Sequence, residues 1–323
     1  MFDRGNNNHG AVSILIALLI VSCVPDDAVF EGLNTTYPVL EYPADNPINP
    51  AAATLGERLF FDPILSLDSS ISCGSCHKQE LGFATNDRVT PGVGGVLGKR
   101  NSPSLLNVGF QPYFMREGGV PSLEMQVLVP LGDATEMAHN VVDAVRRLNR
   151  NTSYRNEFLT VYGDTASPYL LVRALANFER TLIDFSSPFD HFIQGDATAL
   201  SGKAIKGGKL FYGKAACIQC HSGVLLTDFS FANNGTAIVD SSDYGRELLT
   251  NESYDRYVFK TPSLRSVQAT APYMHDGSIA SLTDVVEQYN SGGMNHGFTD
   301  SRIEPLDLSA TEKEQLIAFL EAL

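Results

Sequence analysis

Cys73, Cys76 and His77 form one Cys-x-x-Cys-His cluster, and Cys217, Cys220 and His221 form a second. Two thiols one helical turn apart, followed at once by an imidazole, suit one chemistry above others. The thiols add across the two vinyl groups of a haem, and the histidine reaches the iron from the same side. Half of a zinc site and a redox dithiol also use Cys-x-x-Cys, but neither fixes a place for the histidine. Two clusters predict two covalently bound c-type haems.

The elements that carry these clusters belong to a chain of 323 residues, enough for two ordinary domains. A hydrophobic content of 43% is sufficient for a real core. The net charge of −14 argues against nucleic acid as a partner and suits encounter with a basic redox protein. Four of the five cysteines are in the two clusters. The fifth, Cys23, follows the apolar run Ala11 to Val21, which has Arg4 before it. That run is too short to span a bilayer and has the length of a signal-peptide core. Ile20-Val21-Ser22-Cys23 resembles a bacterial lipobox, in which the cysteine is lipidated and becomes the new N-terminus. An ordinary cleaved signal with a stray cysteine is the alternative. Both readings export the chain to the periplasm. Residues 1–22 are then the signal peptide, and residues 23–45, with Pro25, Asp26, Asp27 and Pro38, a tether from a lipid anchor on Cys23 to the body.

The body repeats itself imperfectly. Ser102-Pro103-Ser104-Leu105 recurs as Thr261-Pro262-Ser263-Leu264, and Ser122-Leu123 as Ser281-Leu282. Tyr113 to Gly118 recurs as Tyr273 to Gly277, with Met115 facing Met274, and Leu59-Phe60-Phe61 matches Leu210-Phe211-Tyr212. Two related haem domains follow, residues 46–198 and 199–323. Leu171, Ala174, Leu175, Phe178 and Leu182 make a helical stripe. Ser309 and Glu312 make a capping box before Leu316, Phe319, Leu320 and Leu323. Residues 86–104 and 230–245, rich in Gly, Pro and Asn, read as loops. The fold class is mainly α: two cytochrome-c-like domains with long loops.

The chain resembles the bacterial di-haem cytochrome c peroxidase and MauG superfamily over nearly everything from Asn46 to Leu323. Beyond the haem clusters, the match rests on several segments. Leu59-Phe60-Phe61-Asp62-Pro63, Leu65-Ser66, Arg100-Asn101-Ser102-Pro103, Gln126 with Pro130, and Glu136-Met137 carry its first half. Phe259-Lys260-Thr261-Pro262-Ser263-Leu264-Arg265 and Ala271 to Gly277 carry its second.

The resemblance implies that His77 ligates a peroxide-reacting haem and His221 an electron-relaying one. It implies Gln126 and Glu136 as the distal pair, with Glu136 moving the peroxide's proton. A calcium ion between the haems would be held by Asn101 and the carbonyls of Thr270 and Pro272. Arg100, Arg116 and Arg265 are candidate partners of haem propionates. Many family members block the reactive iron with a histidine, and here Val93 stands at that position. The reactive haem is therefore expected to be open and to need no reductive activation. Tyr289 stands where the relay haem's sixth ligand is a methionine in classical members and a tyrosine in MauG-like ones; Met294 and His296 are the alternatives. The chain has no tryptophan, and Arg116 takes the place of the one that lies between the haems in many members. Tyr113, Phe114 and Tyr273 are candidate substitutes.

The function expected is reduction of hydrogen peroxide to water with electrons from a small periplasmic redox protein. The alternative is a MauG-like oxidase that uses peroxide to modify a partner protein. Tyr289 supports the alternative, as does the resemblance of Tyr42 to Pro47 to the entry segment of MauG-like enzymes associated with methanobactin operons. A non-catalytic electron carrier is the third reading, opposed by Val93 and Glu136. Homodimers are common in the family.

Overall fold

Helix-favouring segments separated by long Gly- and Pro-rich stretches give a mostly helical chain with little sheet. The computed structural model describes Met1, Phe30, Leu33 and residues 36–238 and 240–323. The expected signal peptide and Cys23 lie outside these residues. Among them, seven α-helices reach nine residues or more. They are α1 (Pro50–Phe61), α2 (Val141–Arg150), α3 (Thr152–Tyr162), α4 (Pro168–Glu179), α5 (Gly202–Tyr212), α6 (Leu282–Asn290) and α7 (Ala310–Leu320). No helix among the described residues is long and apolar enough to cross a membrane.

The stripe read from Leu171 to Phe178 lies on α4, which starts at Pro168 with Ser167 as its cap. Leu171, Ala174, Leu175 and Phe178 are buried against α1, and each large apolar side chain contributes about 1.5–3 kcal/mol. The Ser309–Glu312 capping box is formed, and it starts α7, which packs on α5 and α6. Two crossings depend on glycine. A Cβ on Gly56 of α1 would lie 2.0 Å from the Ala174 carbonyl oxygen of α4. One on Gly207 of α5 would lie 1.9 Å from that of Gln315 on α7. Only hydrogen in place of a side chain lets these backbones meet.

The apolar residues divide into two cores. The first gathers Leu59, Phe60, Leu123, Leu148, Phe158, Leu171 and Leu175. The second gathers Phe189, Phe211, Leu226, Leu316 and Phe319. Several local contacts occur once in each half. Phe114 bridges to Val120, and Tyr273 to Ile279. The Ser104 hydroxyl donates to the Gly82 carbonyl at 2.6 Å, and the Ser263 hydroxyl to that of Leu225 at 2.6 Å. Met115 and Met274 both have positive φ, 65° and 76°.

Three expectations need correction. Residues 37–45 are not a free tether. Tyr37 stacks on Phe185 at 4.3 Å and donates to Asp190 at 3.0 Å, while Asp45 pairs with Arg173. Phe30, further into the expected tether, is buried among Phe189, Phe192 and Phe319. The short helix Pro188–Ile193, assigned to the first domain, packs into the second core through Phe189 and Phe192. Aromatic anchors override the polar composition around them. The stretch 230–245 is not loop throughout: Phe231–Ala232 (β1) pairs antiparallel with Phe259–Lys260 (β2), Phe231 opposite Lys260.

Candidate haem sites

The first cluster begins beyond the end of α1. Ser72 caps the single turn Cys73–Cys76, its backbone N–H donating to the Ser75 hydroxyl at 2.9 Å. The His77 N–H closes the turn on the Cys73 carbonyl at 2.9 Å. Gly74 leaves room for the Phe61 ring, which a Cβ there would meet at 2.4 Å. His77 Nδ1 lies 2.9 Å from the Phe83 carbonyl and 3.1 Å from that of Pro103. With Nδ1–H donating to these oxygens, Nε2 keeps its lone pair for a metal, and the ring is held in orientation. Desolvation lowers the His77 pKa, so the imidazole is neutral.

The second cluster repeats this logic in a 3-10 turn, Cys217–Gln219. The His221 N–H bonds the Cys217 carbonyl at 2.9 Å, and His221 Nδ1 lies 3.2 Å from that of Leu226. Desolvation lowers this imidazole's pKa too. None of the four thiols is in a disulfide. Burial pushes Cys73 and Cys217 up to about 12 and Cys76 to about 11. Among the described residues no group of three or more His, Cys, Asp or Glu is arranged to hold a metal ion. Thiol pairs one turn apart, each followed by one oriented imidazole with a free Nε2, fit covalent haem.

Glu136 stands in a turn after the short helix Leu128–Gly132, and Gln126 ends the short helix Leu123–Gln126. The Val93 N–H donates to the Glu136 carbonyl at 2.9 Å, so the Val93 loop is fastened to the Glu136 turn. Gly92 permits this, because a Cβ there would lie 2.1 Å from the Thr135 carbonyl oxygen. Desolvation and then Asp133 raise the Glu136 pKa, although the residue is exposed as a whole. After burial, Glu136 is the largest influence raising the Cys76 thiol, which places its carboxyl near the first cluster.

Tyr289, on α6, is brought to the second cluster. Burial pushes its hydroxyl up to about 12, and Cys217 and Cys220 add to the rise. The Asn234 side-chain amide donates to this hydroxyl at 3.0 Å and lies 3.3 Å from the Met274 sulfur. Met294 is exposed at 56% and is not aimed inward. His296 packs between Tyr257 and Phe298, and both its ring nitrogens are buried without a partner.

Arg100 and Arg265, expected at haem propionates, are engaged by carboxylates of the chain itself. Arg100 forms a bidentate pair with Asp243 at 2.6 and 2.8 Å and reaches Glu117. Arg265 forms one with Asp190 at 2.7 and 2.8 Å and donates to the Val224 carbonyl at 2.6 Å. Arg116 donates to the Asn101 carbonyl at 2.8 Å, and burial followed by Arg100 lowers it to about 10. Nearby Lys260, lowered to about 8 by burial and Arg116, donates to the Tyr113 carbonyl at 2.7 Å. Of the suggested tryptophan substitutes, Tyr113 stacks on Phe231 at 5.2 Å and Phe114 is buried in the first core. The Tyr273 hydroxyl donates to the Val267 carbonyl at 3.1 Å. Within the expected calcium set, the Asn101 side chain donates to the Asp87 carbonyl at 3.1 Å and its N–H to that of His275 at 2.9 Å. The Thr270 hydroxyl donates to the Val267 carbonyl at 3.1 Å.

Sequence reasoning missed Asn234, the partner of Tyr289, and Glu179, a buried carboxyl near Cys73. Glu179 falls one turn after Leu175, within the apolar stripe, and a carboxylate there was the available signal.

The sequence profile of the family described as di-haem cytochrome c peroxidase matches residues 50–198. A methylamine utilization protein MauG from Methylorubrum extorquens is 36% identical, over 87% of this chain and 80% of its own length. The chain belongs to the di-haem cytochrome c peroxidase family. Its relatives also include a cytochrome c551 peroxidase from Nitrosomonas europaea, 32% identical over 88% of this chain and 84% of its own. Among solved structures, a MauG-like protein associated with microbial copper homeostasis superposes with a TM-score of 0.84 at 31% identity. That match covers 91% of this chain and 95% of the other. The di-haem peroxidase BthA from Burkholderia thailandensis shares the fold, with a TM-score of 0.77 at 23% identity over 90% of this chain and 88% of its own. Membership implies two c-type haems and makes this chain an oxidoreductase of the cytochrome c peroxidase type.

Proposed function

We propose that the chain reduces hydrogen peroxide to water, with electrons from a small redox protein entering through the second haem and used at the first. Haem iron would supply peroxide binding at the first cluster and one-electron chemistry at both. The observation that carries the reading is the Glu136 turn, fastened to Val93 with its carboxyl near the first cluster. Glu136 takes the proton from one peroxide oxygen and returns it to the departing one, and Gln126 orients the peroxide. His77 and His221, each fixed through Nδ1, would hold the haem irons through Nε2. Arg265 contributes by holding the segment after His221, and Arg100 by joining the 100–117 and 243 segments.

In this reading the two halves are copies of one haem-binding unit, supported by the duplicated bridges and serine contacts. Tyr289, held by Asn234, is the residue that would ligate the second haem's iron opposite His221. That assignment also favours a second reading, peroxide-driven modification of a partner protein, as does the likeness to MauG. A calcium ion at Asn101, Thr270 and Pro272 rests on the family resemblance alone. A homodimer rests on it too, whereas a periplasmic location with a lipid on Cys23 is read from the apolar run Ala11 to Val21 and the lipobox-like Ile20-Val21-Ser22-Cys23.

The test is steady-state oxidation of reduced mono-haem cytochrome c by peroxide. Turnover that falls about 10²–10⁴-fold in Glu136→Gln supports the reading. Equal turnover in both proteins removes Glu136 from it, and no turnover with a long-lived oxidised spectrum favours the second reading.

A further inference from the structure

Glu179 is the last residue of α4 and 6% exposed, and its Oε2 is buried with no hydrogen-bond partner. The neighbouring cation does not serve it. Arg180 forms a bidentate pair with Glu124 at 2.6 and 3.2 Å, and Arg173 on the same helix pairs with Asp45. On α1, packed against α4, Arg58 pairs with Glu157. The C-terminal end of a helix disfavours an anion, and Glu124 adds like charge nearby. Burial raises the Glu179 carboxyl to about 8, with Arg180 opposing and Glu124 reinforcing the shift. Phe178, the residue before Glu179, lies 5.1 Å ring to ring from Phe60, which in turn lies 6.4 Å from His77, so the end of α4 packs beside the first cluster, and Glu179 adds to the rise of the Cys73 thiol.

We propose that Glu179 is a redox-linked proton carrier for the haem at Cys73, Cys76 and His77. As that iron passes one electron to a one-electron acceptor and goes from ferrous to ferric, Glu179 releases one proton to bulk water. On reduction it takes one back. A ferric site carries one more positive charge than a ferrous one, and in a low-dielectric interior that charge favours the carboxylate. The carboxyl then keeps the net charge of the buried site nearly constant as the iron cycles. This inference rests on haem attachment at Cys73. The role of Glu179 is charge compensation, and no contact with peroxide is required.

The test follows both haem potentials against pH by spectroelectrochemistry, on either side of about 8, in the holoprotein and in Glu179→Gln. The expected result is one couple whose potential falls as pH rises, and loses that slope in Glu179→Gln while the other couple is unchanged. The same slope in both proteins, or no slope in the wild type, overturns the proposal. Should Glu179→Gln fail to accumulate, redox-difference infrared spectra of the wild type decide. A protonated-carboxyl band that vanishes on oxidation supports the proposal, and its absence overturns it. Haem stoichiometry by mass is measured first. A chain without haem at Cys73 defeats the underlying reading, whereas two haems without the slope defeat only this inference.

Discussion

The Val93 backbone N–H donates to the Glu136 carbonyl oxygen at 2.9 Å. One hydrogen bond thus joins the position at which the family resemblance looks for a blocking histidine to the turn that carries Glu136, the proposed carrier of peroxide's proton. A valine side chain offers iron no ligand, and the bond holds its loop on the Glu136 turn.

The pH dependence of turnover follows from Glu136. Desolvation and Asp133 raise its pKa, and only the deprotonated carboxylate accepts peroxide's proton. The acid limb of kcat/KM for peroxide is expected above the ordinary glutamate value, with activity lost as pH falls through it. Glu136→Gln should abolish that limb along with most of the rate.

Tyr289→Met is expected to raise the potential of the second haem, because thioether favours ferrous iron and phenolate favours ferric. Spectroelectrochemistry of the variant reads this directly. Asn234→Leu, which removes the donor to the Tyr289 hydroxyl, should shift the same couple and leave the other unchanged.

Acid sensitivity is expected from two buried pairs. Burial alone would raise Glu124 and Asp190. Hydrogen bonds from Arg180 and Asn46 to the first, and from Arg265 and Ser187 to the second, more than offset it and leave both lowered. A carboxyl with a depressed folded pKa contributes stability that is full above its unfolded value, about 4, and is lost as pH falls through the folded value. The contribution of these two pairs to the urea midpoint should therefore be constant near neutrality and be lost below about pH 4. Glu124→Ala, which leaves Arg180 buried and unpaired, should cost about 3–5 kcal/mol.

Gly56→Ala and Gly207→Ala should each force a helix pair apart, since the new methyl meets a carbonyl oxygen at 2.0 or 1.9 Å. A loss on the order of 1–3 kcal/mol in thermal or urea unfolding is expected for each.

The parts legible in the sequence are the local ones. Both haem clusters, the α4 stripe and the Ser309–Glu312 cap depend on residues within two turns of each other, so spacing reveals them. Glu179 was hidden inside that stripe, where an apolar periodicity draws attention away from a carboxyl. The partners of Arg100 and Arg265 were not legible, because Asp243 and Asp190 lie 143 and 75 residues away. Their pairing is decided by tertiary packing. Phe30 and Tyr37 looked like parts of a tether because their neighbours are polar. Their rings have partners only in the folded chain, at Phe189 and Phe185.

The most direct test of an open first site mixes the fully ferric holoprotein with hydrogen peroxide and reduced mono-haem cytochrome c, and follows the first turnover. The account predicts cytochrome oxidation at the full steady rate from the first cycle, with no prior reduction of the second haem. A lag abolished by pre-reduction, or no reaction with peroxide, would contradict it.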